Sequence, residues 1–392
     1  MAGTRSAAVP PTGDADVTRL RVAVDAVADA SGAAAATPAA AAAGAPAAVS
    51  VELDERKRRV LRTVVTEFVA TGQPVGSAHV VAVAGLDVST ATVRNDLAAL
   101  EELGLVSQPH ASAGRVPTDR GYRWFVDDLR AAPGLDPQRR AAIEELLGSA
   151  RDVEELLSRT ATVLTQLTRL VALVISPALE TSRLRLVELV TLTPATALLL
   201  LVSDTGRVEK HAVELPAGTD ERDLDRVRAM LADRLVGRRF SEVGAVLGAL
   251  RDEAPADLRA CVGAVAAEAA AAVREERVHE VYVGGQAALA GDDSLDRGDL
   301  SRLLGLLEER ETLARLLEDA TEGDGPRVRI GEEHAQADLR ATSLVAQRYR
   351  LVADGSLGVL GPTRMDYGGA LATVRAVSDQ LQRTLRDLTA DG

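Results

Sequence analysis

Between Leu53 and Leu129 apolar residues recur at helical spacing in four short blocks, each closed by glycine, proline or a turn. That punctuation constrains the fold more than anything else in the chain. Asp54 is placed to cap a helix whose Val60, Leu61, Val64, Val65 and Phe68 form one apolar stripe. Gly72 stops this helix and Pro74 blocks its resumption. Ser77 is expected to cap a second helix, Ala78–Ala84, ended by Gly85. Ser89 caps a third, with Val93, Leu97, Leu100 and Leu103 on its buried face and Gly104 at its end. Two short strands, Leu105–Gln108 and Arg115–Pro117, are predicted next, joined by the turn from Pro109 to Gly114. Thr118 caps a fourth helix with Tyr122, Phe125, Val126 and Leu129 at i, i+3, i+4 and i+7. Helix, helix, helix, hairpin, helix in this compass is the order of a winged helix-turn-helix. Four of the eight aromatics, Phe68, Tyr122, Trp124 and Phe125, lie inside it and suffice to anchor a small core.

The third helix carries the chemistry. Opposite its apolar face stand Ala91, Arg94, Asn95, Ala98 and Glu102. Small residues let the backbone approach a groove, and Arg94 and Asn95 have the bidentate geometry that matches guanine and adenine edges. Ser89, Thr90 and Thr92 sit at the helix N-terminus, where free N–H groups favour phosphate. With Ser77 before the second helix, His110 and Ser112 at the wing tip, and Arg115 and Arg120 on or just behind it, these form a candidate DNA-binding set. Arg123 is expected near the wing as well. A merely solvated helix face competes with this reading until the wing is added. Residues 51–130 hold ten Lys+Arg and eleven Asp+Glu, so phosphate attraction must be local, with the acids expected away from the tip.

The remainder reads as α+β. Residues 1–50 include twenty alanines and too few large apolar groups to offset chain entropy, so disorder is expected there. Translation from Val51 is a further expectation, which N-terminal sequencing of the native protein decides. A hinge at Ala132–Gly134 and a long connecting helix, Gln138–Val171, are followed by strands Leu184–Leu192, Ala197–Val202 and Val208–Leu215. Helices then fill 220–277, with a strand at Val278–Val283, a helix at Leu300–Ala320, strands at Arg327–Ile330 and Ser356–Gly361, and a closing helix at Ala370–Leu388. Strands, helices and strands again suggest an α+β domain interrupted by an insertion.

Several function classes are disfavoured. A net charge of −13 excludes coating of nucleic acid or membranes by bulk charge. No apolar run approaches the ~18 residues of a membrane helix, and Arg5, Asp14, Asp16, Arg19 and Arg21 interrupt any secretory signal, so a cytoplasmic protein is expected. The single cysteine, Cys261, excludes a disulfide framework and a cysteine-based zinc site, and in its alanine-rich run reads as a small buried hydrophobe. The five histidines are scattered and no Ser/His/Asp or Cys/His arrangement emerges, so neither an enzyme nor a metal or cofactor site is expected. Arg364, Asp366 and Tyr367 resemble a polar site, but a strand–turn–helix junction accounts for them equally well.

Thr71–Ser77, Ser89–Leu97, Leu100–Leu105 and above all Gln108–Arg123 resemble the HrcA family of bacterial heat-inducible transcription repressors. Gly331-Glu332-Glu333 and Gly358–Tyr367 match it again, so the resemblance runs from about Leu53 to the end and leaves the first fifty residues outside it. It implies a homodimer with a winged-helix DNA-binding domain (51–131), a GAF-like α/β domain in two parts (132–219 and 292–392), and a dimerising domain inserted at about 220–291. It further implies binding to double-stranded DNA at an inverted repeat, the CIRCE element, upstream of chaperone genes, with the GroEL chaperonin keeping the repressor competent. The alternative is a ligand-sensing winged-helix repressor of another regulon. No phosphate cradle, histidine cluster or aromatic clasp favours it, so no small-molecule ligand is expected.

Overall fold

The computed structural model describes residues 52–390 apart from 111–112, 130–133, 178–181, 205, 276–279, 290–294, 322–324 and 351–353. The expected disorder of 1–50, the residue Ser112 and most of the expected hinge lie outside the described residues.

Local signals build the N-terminal unit. Asp54 accepts a hydrogen bond from the Lys57 backbone N–H at 2.8 Å and starts α1 (Glu55–Thr71), which Gly72 ends in the left-handed conformation. Helix α2 (Ser77–Ala84) begins one residue earlier than expected. Gly76 occupies the cap, and the Ser77 hydroxyl makes no capping bond. Ser89 caps α3 (Thr90–Glu102) by accepting from the Thr92 N–H at 3.2 Å. Val93, Leu97 and Leu100 are buried as expected, but Leu103 is 38% exposed, because the helix ends there and Gly104, at φ 70°, redirects the chain. Strands β1 (Val106–Ser107) and β2 (Val116–Pro117) pair antiparallel, Val106 opposite Pro117. Thr118 then caps α4 (Asp119–Asp128), its hydroxyl also donating to the Gly104 carbonyl at 2.6 Å.

The expected helix over Gln138–Val171 is two helices and the start of a strand. Helix α5 (Pro137–Gly148) stops at Ser149, and Asp152 caps a new helix, α6 (Val153–Thr168), through the Glu155 N–H. Strand β3 (Val171–Ile175) follows and is buried throughout. Beyond it lie β7 (Val281–Gly284), a short α10 (Gln286–Leu289), α11 (Arg297–Glu308) and α12 (Arg310–Ala320). Strands β8 (Arg327–Ile330), β9 (Thr342–Arg350) and β10 (Asp354–Pro362) and helix α13 (Tyr367–Ala390) complete this part. The helix expected over Leu300–Ala320 is thus broken at Glu309. The strands form one antiparallel sheet in the order β7-β3-β10-β9-β8. Ala172, Val174, Val345 and Val359 face the layer of α6 and α13, whereas Leu173, Leu344 and Leu360 face α11 and α12. Both faces are covered, as in a three-layer α/β body.

Between β3 and β7, which are sheet neighbours, the chain leaves to build a second unit. Strands β4 (Leu184–Thr193), β5 (Thr196–Ser203) and β6 (Val208–Glu214) form a three-stranded meander backed by α7 (Glu221–Leu235), α8 (Phe240–Glu253) and α9 (Arg259–Glu275). The meander and these helices share one core, containing Leu199, Leu201, Val213, Leu224, Phe240, Leu247 and Val262. The boundary expected at 220 therefore falls inside a packed unit. The buried residues of β5 find their second layer in α7–α9 rather than in the larger sheet, and β7, expected within the insertion, pairs with β3 instead. Cys261 is buried in the same core.

Candidate nucleic-acid interface

Helix α3 is held from behind and left bare in front. Its apolar face packs on α1 and α2, while Thr90, Ala91, Arg94, Asn95, Ala98 and Glu102 are exposed. Neither Arg94 nor Asn95 makes a hydrogen bond or ion pair with the described residues, so both side chains keep their full donor capacity. Ser89 is exposed but its oxygen is committed to the Thr92 N–H and lies 3.0 Å from the Thr92 hydroxyl. Thr90, one residue on, has a hydroxyl with no partner among the described residues. Ser77 is half-buried in the first turn of α2.

The wing is tied by backbone to the segment between α1 and α2. Val75 and Arg115 exchange both N–H···O=C bonds at 2.9 Å, adding a third partner to the β1–β2 hairpin. Gly114 is required there: a Cβ would stand 2.4 Å from the Val75 carbonyl carbon. The Gln108 amide donates to the Ala113 carbonyl at 3.0 Å, and the Ala113 N–H donates to His110 at 2.8 Å, closing the base of the turn. His110 is exposed at the tip and Arg120 is exposed at the start of α4.

Two cations sit otherwise than the sequence suggests. Arg115 is not a free wing cation: its guanidinium pairs with Glu101 of α3 at 2.8 Å and its side chain is only 16% exposed. Glu101 is correspondingly not away from the wing. Arg123 does not face the wing at all; it points to the α/β body, where its fork meets the Glu333 carboxylate at 2.7 and 2.5 Å and the Val328 carbonyl at 2.6 Å. Among the described residues of α3, the wing and the first turn of α4, the exposed arginines are Arg94 and Arg120.

Sequence reasoning missed the groups that hold α3 in place. Asp96, buried in the middle of the helix, accepts two hydrogen bonds from Arg56 of α1 at 2.7 and 2.9 Å. The available signal was a carboxylate between Val93, Leu97 and Leu100, on the face that should have been wholly apolar. Arg364 was also missed as a contact: it donates to the Val69 carbonyl at 3.3 Å, at the end of α1, while Asp366 caps α13 by accepting from Gly369. The strand–turn–helix reading of Asp366 holds, and Arg364 has this further role.

A cavity of about 210 Å³ lies elsewhere, between the α6 N-terminus, β6 and β7. Opposite charges line it and engage one another: Arg207 donates to Glu209 at 2.6 Å and lies 3.8 Å from Glu280, which also accepts from the Tyr282 hydroxyl at 3.0 Å. Among the described residues no His, Cys, Asp and Glu group is arranged to hold a metal, and no helix is long and apolar enough to cross a membrane.

Helix α3 with exposed Arg94 and Asn95, a wing braced against it and an α/β body behind define a regulator of the winged-helix DNA-binding class. Comparison with known proteins agrees. Residues 76–118 match the DeoR-like helix-turn-helix domain, and 154–371 match the HrcA protein C-terminal domain. The chain is 46% identical over 348 residues to the heat-inducible transcription repressor HrcA of Beutenbergia cavernae, covering 85% of this chain and 99% of that one. It is 42% identical over 337 residues to the HrcA of Acidothermus cellulolyticus, covering 86% and 99%. The chain belongs to the HrcA family of heat-inducible transcription repressors. Its fold is also that of a hypothetical protein solved by crystallography at 2.2 Å resolution, 22% identical, with a TM-score of 0.63 over 86% of this chain and all of the other.

Proposed function

We propose that two copies of the chain bind an inverted repeat in double-stranded DNA, the CIRCE element, in the cytoplasm, one α3 in the major groove of each half-site, and thereby silence chaperone operons. The observation that carries this reading is the exposed, unengaged Arg94–Asn95 pair on a helix fixed from behind by Asp96 and Arg56. Thr90, Arg120 and His110, all exposed, are proposed to meet backbone phosphates, and Arg115, paired with Glu101, to brace the wing against α3. An inverted repeat demands a two-fold reader. The inserted unit supplies a surface for it: the outer face of its sheet carries Leu186, Val190 and Val208, all more than 40% exposed, beside Leu198 and Val202. These apolar residues lie in two rows either side of the Glu188–Leu200–Lys210 row, and exposed apolar residues grouped on a sheet face in this way support an association site.

The GroEL chaperonin is proposed to keep the repressor competent. A chain of several units, with 2% aromatic residues and an alanine-rich core helix in α9, has little margin against misfolding once released. Operator binding measured against salt concentration, on an inverted-repeat duplex and a scrambled one, with and without chaperonin and ATP, tests both parts. Repeat-dependent binding raised by chaperonin is the expected result. Repeat-dependent binding indifferent to chaperonin removes the chaperonin part, and equal affinity for both duplexes removes the operator reading.

A further inference from the structure

We propose that Arg123, through Glu333, is a positioning residue that sets the stance of the winged helix on the α/β body, and so the half-site spacing that the dimer accepts. The inference rests on the two-fold operator reading above and adds a residue-level device to it.

Helix α4 is common to both units. On one side it is fixed to the reading head: Thr118 binds the Gly104 carbonyl, and Gly121 lies so close to Leu105 that a Cβ would come within 2.0 Å of its carbonyl oxygen. On the other side it meets the body. The Arg123 fork takes both oxygens of Glu333, and the same carboxylate is held in aim by the Ile330 N–H at 2.9 Å. One turn earlier Asp119 accepts from the Glu332 N–H at 3.0 Å. Gly331, at φ 51°, permits that approach, since a Cβ there would fall 1.8 Å from the Asp119 carboxylate. Arg364 adds a contact at the far end of α1, and the Tyr122 and Tyr367 rings meet at 5.6 Å between the two.

The head is therefore held at separate points, two of them formed by Gly331–Glu333 and Thr363–Tyr367, which nothing in the DNA-facing surface uses. Of these contacts the bidentate Arg123–Glu333 pair is the directional one: a planar fork on a carboxylate fixes orientation as well as distance. It is only partly desolvated, with side chains 22% and 31% exposed, so it can be removed without leaving a deeply buried charge. Removing it leaves untouched the apolar core of the head, which runs on into that of the body, and should loosen the angle between them. In a dimer, angular freedom at each head becomes tolerance in the distance between two recognition helices.

The test uses the full-length chain and duplexes whose half-site separation is altered in single-base-pair steps, with a single half-site duplex as control. The unaltered chain should favour one separation by tenfold or more. Arg123→Ala should flatten that preference, to within about threefold across neighbouring separations, while its half-site affinity stays within about twofold. A sharp profile retained in Arg123→Ala overturns the proposal, as does an equal loss on the half-site duplex. A second readout needs no DNA: spin labels at Ala98→Cys and Arg315→Cys, in a Cys261→Ala background, report the head-to-body distance. Its distribution should broaden in Arg123→Ala, and an unchanged distribution overturns the proposal. Broadening in a chain that shows no preference for the repeat supports the positioning role and places the failure in the operator reading.

Discussion

At the scale of single residues, Arg94 and Asn95 were legible before any coordinates because a polar pair on the bare side of an amphipathic helix follows from its 3.6-residue period. The structure adds that both are exposed and unengaged with the described residues, so truncating either should cost about 1–3 kcal/mol per half-site and relax the base preference there. Titration of Arg94→Ala and Asn95→Ala against the repeat and against single-base variants measures it. Arg115 shows the limit of such reasoning. Its charge is plain in the sequence, but its pairing with Glu101 depends on how the wing folds back over α3. His334 makes a different prediction. Burial, with Arg329 nearby, lowers its pKa from 6.5 to about 4. The unfolded chain therefore protonates first. The stability contributed by neutral His334 is complete above about pH 6.5 and is lost progressively as pH falls from 6.5 towards 4, on the order of 3 kcal/mol in all. Urea midpoints at pH 7 and pH 5 should differ less in His334→Gln than in the parent chain.

At the scale of elements, caps and glycines carried most of the information. Asp54, Ser89 and Thr118 cap the helices they were expected to cap, because an N-cap is a local bond between a side-chain oxygen and a backbone N–H two or three residues on. Ser149–Asp152 was not recognised as a break, since the apolar period of α5 and α6 continues across it and only Asp152 signals the new start. Strand β9 was missed altogether. Covered on both faces, it shows no alternation to detect: Leu344, Val345 and Ala346 are buried in succession, and Gln347 is buried with them. Gly121 is the element-scale test, because α4 crosses Leu105 with no room for a Cβ. Gly121→Ala should destabilise the winged helix by about 1–3 kcal/mol and weaken binding to half-site and repeat alike. Denaturation followed by the Trp124 fluorescence, beside DNA titration, would show whether α4 has been displaced.

At the scale of the molecule, the proposed association rests on the inserted unit. Val190→Asp, on the exposed outer sheet face, should convert a dimer to a monomer and reduce affinity for the repeat by ~10²-fold or more, while half-site affinity is kept. Sedimentation and titration on both duplexes check the two halves of that statement. What the chain's order alone decides is local: the winged-helix succession, the bare face of α3 and the existence of an insertion all follow from periodicity, caps and turn residues within a few positions of one another. What required the folded molecule is everything joining distant segments. Strands β4–β6 pack on α7–α9 instead of the larger sheet, so the insertion begins before β4. Likewise Gly331–Glu333 and Arg364 meet α4 and α1 across more than two hundred residues of sequence. Hydrophobic period tells which face of an element is buried but carries no label for its partner. That choice is made by shape, register and charge only when the whole chain closes.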